Sequence, residues 1–212
     1  MVATLGAPAA QAAWTAPTTL TRPPLHDSFA LHAAGNLKGV EAFAWFHATH
    51  RMRRDPNGRS GFLRYVRVRT RLAHGALTPT RTVSRKDVIA DAPLVGVDVR
   101  GTTTVVWQES RRGRKLPFVM VAVAKKGKPF SRPVTLGRTL EPGELPASPA
   151  LAVASSGAAV IAWAQGDRMV AVRRRGGICP ADSPRRCFGS VRRLSFGDRP
   201  VGSPAATIDL DD

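Results

Sequence analysis

A short pattern recurs along this chain, and it limits the fold more than any other feature. Pro93 is followed eight residues later by Gly101, and Gly101 six residues later by Trp107. The same spacing returns 56 residues on as Pro149, Gly157 and Trp163. A looser copy lies upstream, where Gly39 precedes Trp45 by six residues, 62 before Trp107. A further proline, Pro204, stands 55 residues after Pro149 and heads another such segment. Self-similarity at a period of this size marks a repeat architecture, in which each unit buries its apolar face against the next.

Downstream of each Trp, alternating runs appear at Leu63–Arg69, Phe118–Ala124 and Met169–Arg173. Each is followed by a turn and a short stretch: Leu77–Val83, Phe130–Leu136 and Phe188–Leu194. Period-2 alternation argues for strands, and no long segment keeps a 3.6-residue period. Each unit therefore reads as four short antiparallel strands, here called A to D. The proline opens strand A, where its missing N–H is tolerated. The glycine makes the tight A–B turn, and strand B ends at the Trp. Four strands per repeat predict an all-β array of propeller blades, with Trp45, Trp107 and Trp163 as core anchors between them.

The predicted organisation is residues 28–83 for blade 1, 92–136 for blade 2 and 148–194 for blade 3. Residues 14–20 form a lone D strand, and 203–212 begin a further blade. Propellers close with about 4–8 blades, so the expectation is an incomplete propeller whose remaining blades lie outside this chain. Residues 1–13 carry no charge and end in Ala10-Gln-Ala12, which reads as the remnant of a secretion signal. Cys179 and Cys187 flank a polar loop, the arrangement of a local disulfide in an oxidising compartment. The expected location is therefore extracellular.

The repeats "SPALAVASSGAAVIAW" and "APLVGVDVRGTTTVVW" resemble those of secreted actinobacterial proteins described as sialidase-like or BNR-like propellers. The resemblance spans Trp14 to Asp212. It implies the fold and a glycan-related role, and no catalytic residue carries over by position. The Asp-box of that family, Ser-x-Asp-x-Gly-x-Thr-Trp, is absent: Asp98-Val-Arg-Gly101 has one residue too many, and Trp107 lies too far on. Sialidases also use a Tyr–Glu pair. The single tyrosine here, Tyr65, falls inside an alternating strand, where it reads as packing.

Other constellations are weak. His47 and His50, with Asp55 nearby, read as part of a solvated loop after strand B, not as metal ligands. No zincin helix, calcium loop, nucleophile elbow or phosphate loop is present, and no cofactor is expected. No run of apolar residues is long enough to span a bilayer as a helix. The net charge is +17, from 32 Lys and Arg against 15 Asp and Glu. Such a balance raises the question of a polyanionic partner. The cations are expected on two opposite sets of loops, so that the charge is spread over both rims. The B–C loops hold Arg51, Arg53, Arg54, Arg59, Arg111, Arg112, Arg114 and Lys115, and the C–D loops hold Lys125, Lys126, Lys128, Arg174, Arg175, Arg185 and Arg186. Aromatics are only 6%, so a specific nucleic-acid surface, which needs stacking platforms, is not expected. The sequence points to a secreted, non-catalytic propeller that binds a carbohydrate or an anionic cell-surface polymer. Its competitor is a fragment of a sialidase-like glycoside hydrolase with the catalytic residues elsewhere.

Overall fold

The computed structural model describes residues 20, 28–54, 60–111, 117–139, 148–177, 184–195 and 204–208. Its secondary structure is twelve strands and one 3-10 turn, Pro184–Cys187. The strands follow one another as three antiparallel meanders. The first contains β1 (Ser28–Gly35), β2 (Glu41–Arg54), β3 (Ser60–Arg71) and β4 (Arg81–Thr82). The second contains β5 (Ile89–Val97), β6 (Thr103–Ser110), β7 (Phe118–Ala124) and β8 (Val134–Arg138). The third contains β9 (Ala150–Val153), β10 (Ala159–Gln165), β11 (Arg168–Arg174) and β12 (Arg192–Arg193). One bridge, Arg64 to Ile89, links the first two sheets edge to edge. The chain is all-β, an open array of propeller blades among the described residues.

The inner strands of successive blades touch, β1 against β5 and β5 against β9, which gives the array its radial order. His32 Nδ1 on β1 accepts the Val95 N–H of β5 at 3.2 Å. At Gly96 a Cβ would stand 2.3 Å from Cγ2 of Val153. Only glycine lets β5 approach β9 this closely.

The same A–B turn is built three times. Asn36 N–H donates to Val40 C=O, and Gly39 N–H donates back to Asn36 C=O. Asp98 with Thr102 and Gly101, then Ala154 with Ala158 and Gly157, repeat both bonds. The three glycines have φ of 71°, 79° and 87°, a region that side chains with a Cβ avoid. Gly39, Gly101 and Gly157 thus occupy equivalent backbone positions, and Trp45, Trp107 and Trp163 lie on the equivalent strands β2, β6 and β10.

Two apolar clusters hold the blades together. Val40, Ala42, Ala44, Val66 and Val68 of the first blade meet Val105, Trp107, Met120 and Ala122 of the second. Val106, Val119, Val121 and Val123, on the opposite face of that second blade, meet Ile161, Trp163 and Val172 of the third. The middle blade is therefore sandwiched, and alternate residues of β6 and β7 serve different interfaces. This is why Phe118–Ala124 is buried along its whole length and reads as a continuous apolar run. Trp163 packs over the backbone of β8. A Cβ at Gly137 would be 2.6 Å from its Cζ2, and its Nε1 donates to the Arg138 carbonyl at 2.9 Å.

The histidine bond between β1 and β5 gives stability a pH dependence. Burial lowers the pKa of His32 below its ordinary 6.5, and as an acceptor its Nδ1 must be unprotonated. A proton binds the unfolded chain more tightly, so the contribution is complete above about pH 6.5 and is lost as pH falls toward the lowered folded value. The melting temperature of the parent should fall across that window more than that of His32→Asn. Parallel pH curves for the two proteins would remove His32 as the cause.

Candidate functional site

The strands place the residues singled out in the sequence as follows. His47 and His50 both lie on β2, which runs to Arg54 because β2 and β3 keep pairing past a bulge, from Met52 opposite Phe62 to Arg54 opposite Ser60. The expected solvated loop is therefore strand at these two positions and at Arg51, Arg53 and Arg54, and His47 is buried. Arg174, expected on a C–D loop, is likewise the buried last residue of β11. Asp55 lies outside the described residues. No group of three or more His, Cys, Asp or Glu suited to a metal ion occurs among the described residues. Tyr65 sits on β3 opposite His47 and is half-buried. Pro93 does not open its strand as expected: β5 begins at Ile89, and Pro93 lies within the bulge between Asp91 and Leu94, where the broken ladder tolerates its missing N–H. Pro149 immediately precedes β9, and Pro204 lies in a described stretch without strand pairing. Cys187 ends the 3-10 turn and packs against the second apolar cluster. Cys179 lies outside the described residues, and no described cysteine is a free thiol.

Both bulged inner strands carry an alanine in the left-handed region, Ala30 (φ 52°) and Ala92 (φ 46°). They are 62 residues apart, the offset between Trp45 and Trp107. The ladder shifts at both places, between Phe29 and His32 and between Asp91 and Leu94. Asp91 fixes the second bulge. Its Oδ1 accepts the Ala92 N–H at 2.9 Å, and its Oδ2 pairs with Arg64 at 3.0 Å.

Two carboxylates that no motif singles out are fully buried. Glu109, at the end of β6, accepts from Arg111 Nε at 2.7 Å and from Trp107 Nε1 at 3.3 Å, with Arg85 at 3.9 Å. The Arg111 guanidinium also lies 4.5 Å from the centre of the Phe118 ring. Asp98, in the second A–B turn, accepts from the backbone N–H groups of Arg100 and Thr102 at 2.9 and 2.8 Å. Its other oxygen is buried beside Arg100 and Arg174 without a hydrogen bond. Arg174 reaches from β11 to Thr104 Oγ1 and the Gly157 carbonyl. Burial pushes its guanidinium below the usual range, while Asp98 opposes that shift and Arg100 adds to it. Glu109, Asp98 and Arg174 themselves are buried and closed to a ligand.

One open feature is a cleft of about 560 Å³ between the second and third blades, at the end of the β10–β11 turn. It is formed by Arg138 at the end of β8 and Thr139 after it, by Gln165, Asp167 and Arg168 at and around the β10–β11 turn, and by Arg193 of β12. Val170 and Val191 supply apolar surface. Three guanidiniums face one carboxylate, and Asp167 already pairs with Arg168 at 3.3 Å. A cavity of this size suits a ligand of a few rings. The lining offers many donors, a few acceptors and net positive charge, the chemistry that holds hydroxyl and carboxylate groups.

A propeller-type array with a polar cleft between two blades is the class of protein that fold and geometry define. No protein-family model matches the sequence, and no curated protein matches it. Several solved structures are similar at low identity, three of them as follows. The chain matches a Hadza microbial sialidase at 13% identity with a TM-score of 0.47, covering 70% of this chain and 35% of that one. It matches a glycosyl hydrolase from Bacteroides ovatus at 13% and 0.44, covering 84% and 51%. It also matches a structure from the mannoside phosphorylase family, whose glycoside hydrolases target β-1,2 mannosidic linkages in Candida mannan, at 12% and 0.41, covering 79% and 51%. The chain thus spans about a third to a half of the length of each.

Proposed function

We propose that this chain is a secreted, non-catalytic propeller segment that binds a glycan in the cleft between its second and third blades. The observation that carries the reading is the lining itself: Arg138, Arg168 and Arg193 around Thr139, Gln165 and Asp167. Charge-assisted hydrogen bonds from guanidinium to carboxylate are among the strongest available to a surface site. Hydroxyl groups of a sugar ring are served by Gln165, Thr139 and Asp167. Most glycosidases flank the scissile bond with two carboxyl groups, and sialidases use a tyrosine nucleophile instead. The lining described for this cleft holds one carboxylate, Asp167, and no tyrosine. Export and the Cys179–Cys187 bridge belong to the same proposal, a thiol pair tying down the loop before β12.

The test is a glycan array with neutral and carboxylated oligosaccharides, run beside a sialoside hydrolysis assay. Binding is expected to favour carboxylated glycans, with no hydrolysis. The double variant Arg138→Ala/Arg168→Ala is expected to weaken binding by roughly 10–100-fold, from the 1.5–3 kcal/mol typical of a hydrogen bond to a charged group. Hydrolysis by the parent would instead establish the glycoside hydrolase alternative. Unchanged affinity in the double variant would remove the cleft as the site.

A further inference from the structure

At the B–C end of the blades four of the described cations meet carboxylates: Arg64 with Asp91, Arg85 and Arg111 with Glu109, and Arg168 with Asp167. At the opposite end, where A–B and C–D turns lie, only two acids occur among the described residues. Glu41 is paired with Arg71 at 3.0 Å, and Asp98 is fully buried. Arg81, Lys125, Lys126 and Lys128 stand exposed there, and none forms an ion pair among the described residues.

These four cations surround a groove of about 130 Å³ between the outer strands of the first blade and the β7–β8 turn of the second. Thr70 and Thr78 complete its polar wall. Lys126 is held in place, since its stem packs over Gly101, where an added Cβ would lie 3.2–3.3 Å from three of its carbons. Composition supports selection at this spot. Of 32 cationic residues only six are lysine, and three of those six fall between positions 125 and 128. Lysine is a compact charge with three rotatable donors on a flexible stem, suited to an oxyanion approached from several sides.

We propose that this groove is a second binding site, for the phosphate or sulfate groups of an anionic polysaccharide. The oxyanion chemistry stands on the groove alone, and the polysaccharide assignment rests on the glycan reading above. Among the described lining residues the single aromatic is Phe130, half-buried against the first apolar cluster. The stacking platforms that single-stranded nucleic acid requires are not built here.

The experiment uses the full chain and fluorescence anisotropy at several salt concentrations. The probes are a heparin oligosaccharide, its desulfated form, inorganic polyphosphate and single-stranded DNA. Heparin, polyphosphate or both are expected to bind, and comparison of the two tells sulfate from phosphate. The exposed triple variant Lys125→Gln/Lys126→Gln/Lys128→Gln should weaken that binding at least about 10-fold and flatten its salt dependence, since fewer charges then release counterions. Arg138→Ala/Arg168→Ala, at the far end of the blades, should leave it within about twofold, as screening over that separation requires. Failure of both anionic probes to bind, or a triple variant within about twofold of the parent at low salt, overturns the site. DNA binding tighter than either probe at equal salt overturns the polysaccharide assignment. Loss of glycan binding in the cleft variant alone, with heparin binding kept, separates the two sites.

Discussion

Arg174→Ala is expected to cost about 3–5 kcal/mol of unfolding free energy, the scale for removing a buried cation and leaving the polar groups around it buried without it. Arg174 is 1% exposed although it is the last residue of β11. Its guanidinium bonds to Thr104 of the second blade and to the Gly157 carbonyl of the third, beside the buried carboxylate of Asp98. With Arg174 gone, Asp98 remains desolvated, with Arg100 as its nearest cation at 3.8 Å. The comparison variant is Asp98→Asn. Blade 1 carries asparagine at the equivalent place, where Asn36 Oδ1 accepts the N–H groups of Lys38 and Val40, both at 3.0 Å. An amide therefore makes the same turn, so Asp98→Asn keeps the local hydrogen bonds and removes only the charge. Its cost should be clearly smaller, about 1–3 kcal/mol. Urea unfolding of both variants decides the matter. Because Asp98→Asn leaves the turn intact, equal losses would assign the whole cost to the charge of Asp98. No loss in Asp98→Asn would show that Arg174 acts through its hydrogen bonds alone.

Gly157 shows how tightly this junction is built. A Cβ there would fall 2.7 Å from Asp98 Oδ2 and 2.9 Å from Arg100 Nη2, on a backbone that already has φ of 87°. Gly127 has a similar φ of 70° and nothing within 4 Å of an added Cβ. The first glycine is held by space and conformation together, the second by conformation alone.

The strand order of this molecule is written into local chemistry. Glycine at a fixed distance before tryptophan encodes a turn and a strand within about fifteen residues, and period-2 runs encode the rest. The buried charges are not local in this sense. Arg174 sits in the run Arg173-Arg174-Arg175 and looks like its neighbours, yet it alone of the three is buried, because it ends β11 opposite Ala159 and points at the preceding blade. Asp98 is conspicuous in sequence only as a failed Asp-box residue, and its role depends on a turn in one blade and an arginine in the next. Charge placement has the same limit. The sequence puts cations at both ends of the blades, but which of them meet carboxylates is decided across strands and blades. Glu109 takes up two arginines from separate segments, while the lysines of the β7–β8 turn meet none among the described residues. Lining residues of the cleft come from β8, the β10–β11 turn and β12. No sequence spacing joins them.

Trp107→Ala should be the most damaging apolar change, with an expected cost of about 3–5 kcal/mol from lost burial and the cavity left behind. Trp107 is fully buried in the cluster between the first two blades. Ala42 and Ala44 of the first blade share that cluster and are too short to refill the space. The indole N–H also supports Glu109, so its loss removes one of the groups that satisfy a buried carboxylate. Trp107→Phe keeps most of the volume and loses the donor, and should cost about 1–3 kcal/mol. Because the middle blade presents separate faces to its two neighbours, the damage should also be directional. Stability in a repeat array is close to a sum of unit and nearest-interface terms, so each interface opens largely on its own. Hydrogen exchange in Trp107→Ala should rise most in β2, β3, β6 and β7, with β10 and β11 still protected. Trp163→Ala should reverse the pattern, loosening β10 and β11 while the first blade keeps its protection. A uniform rise across all three blades in either variant would show one cooperative core in place of two stacked interfaces.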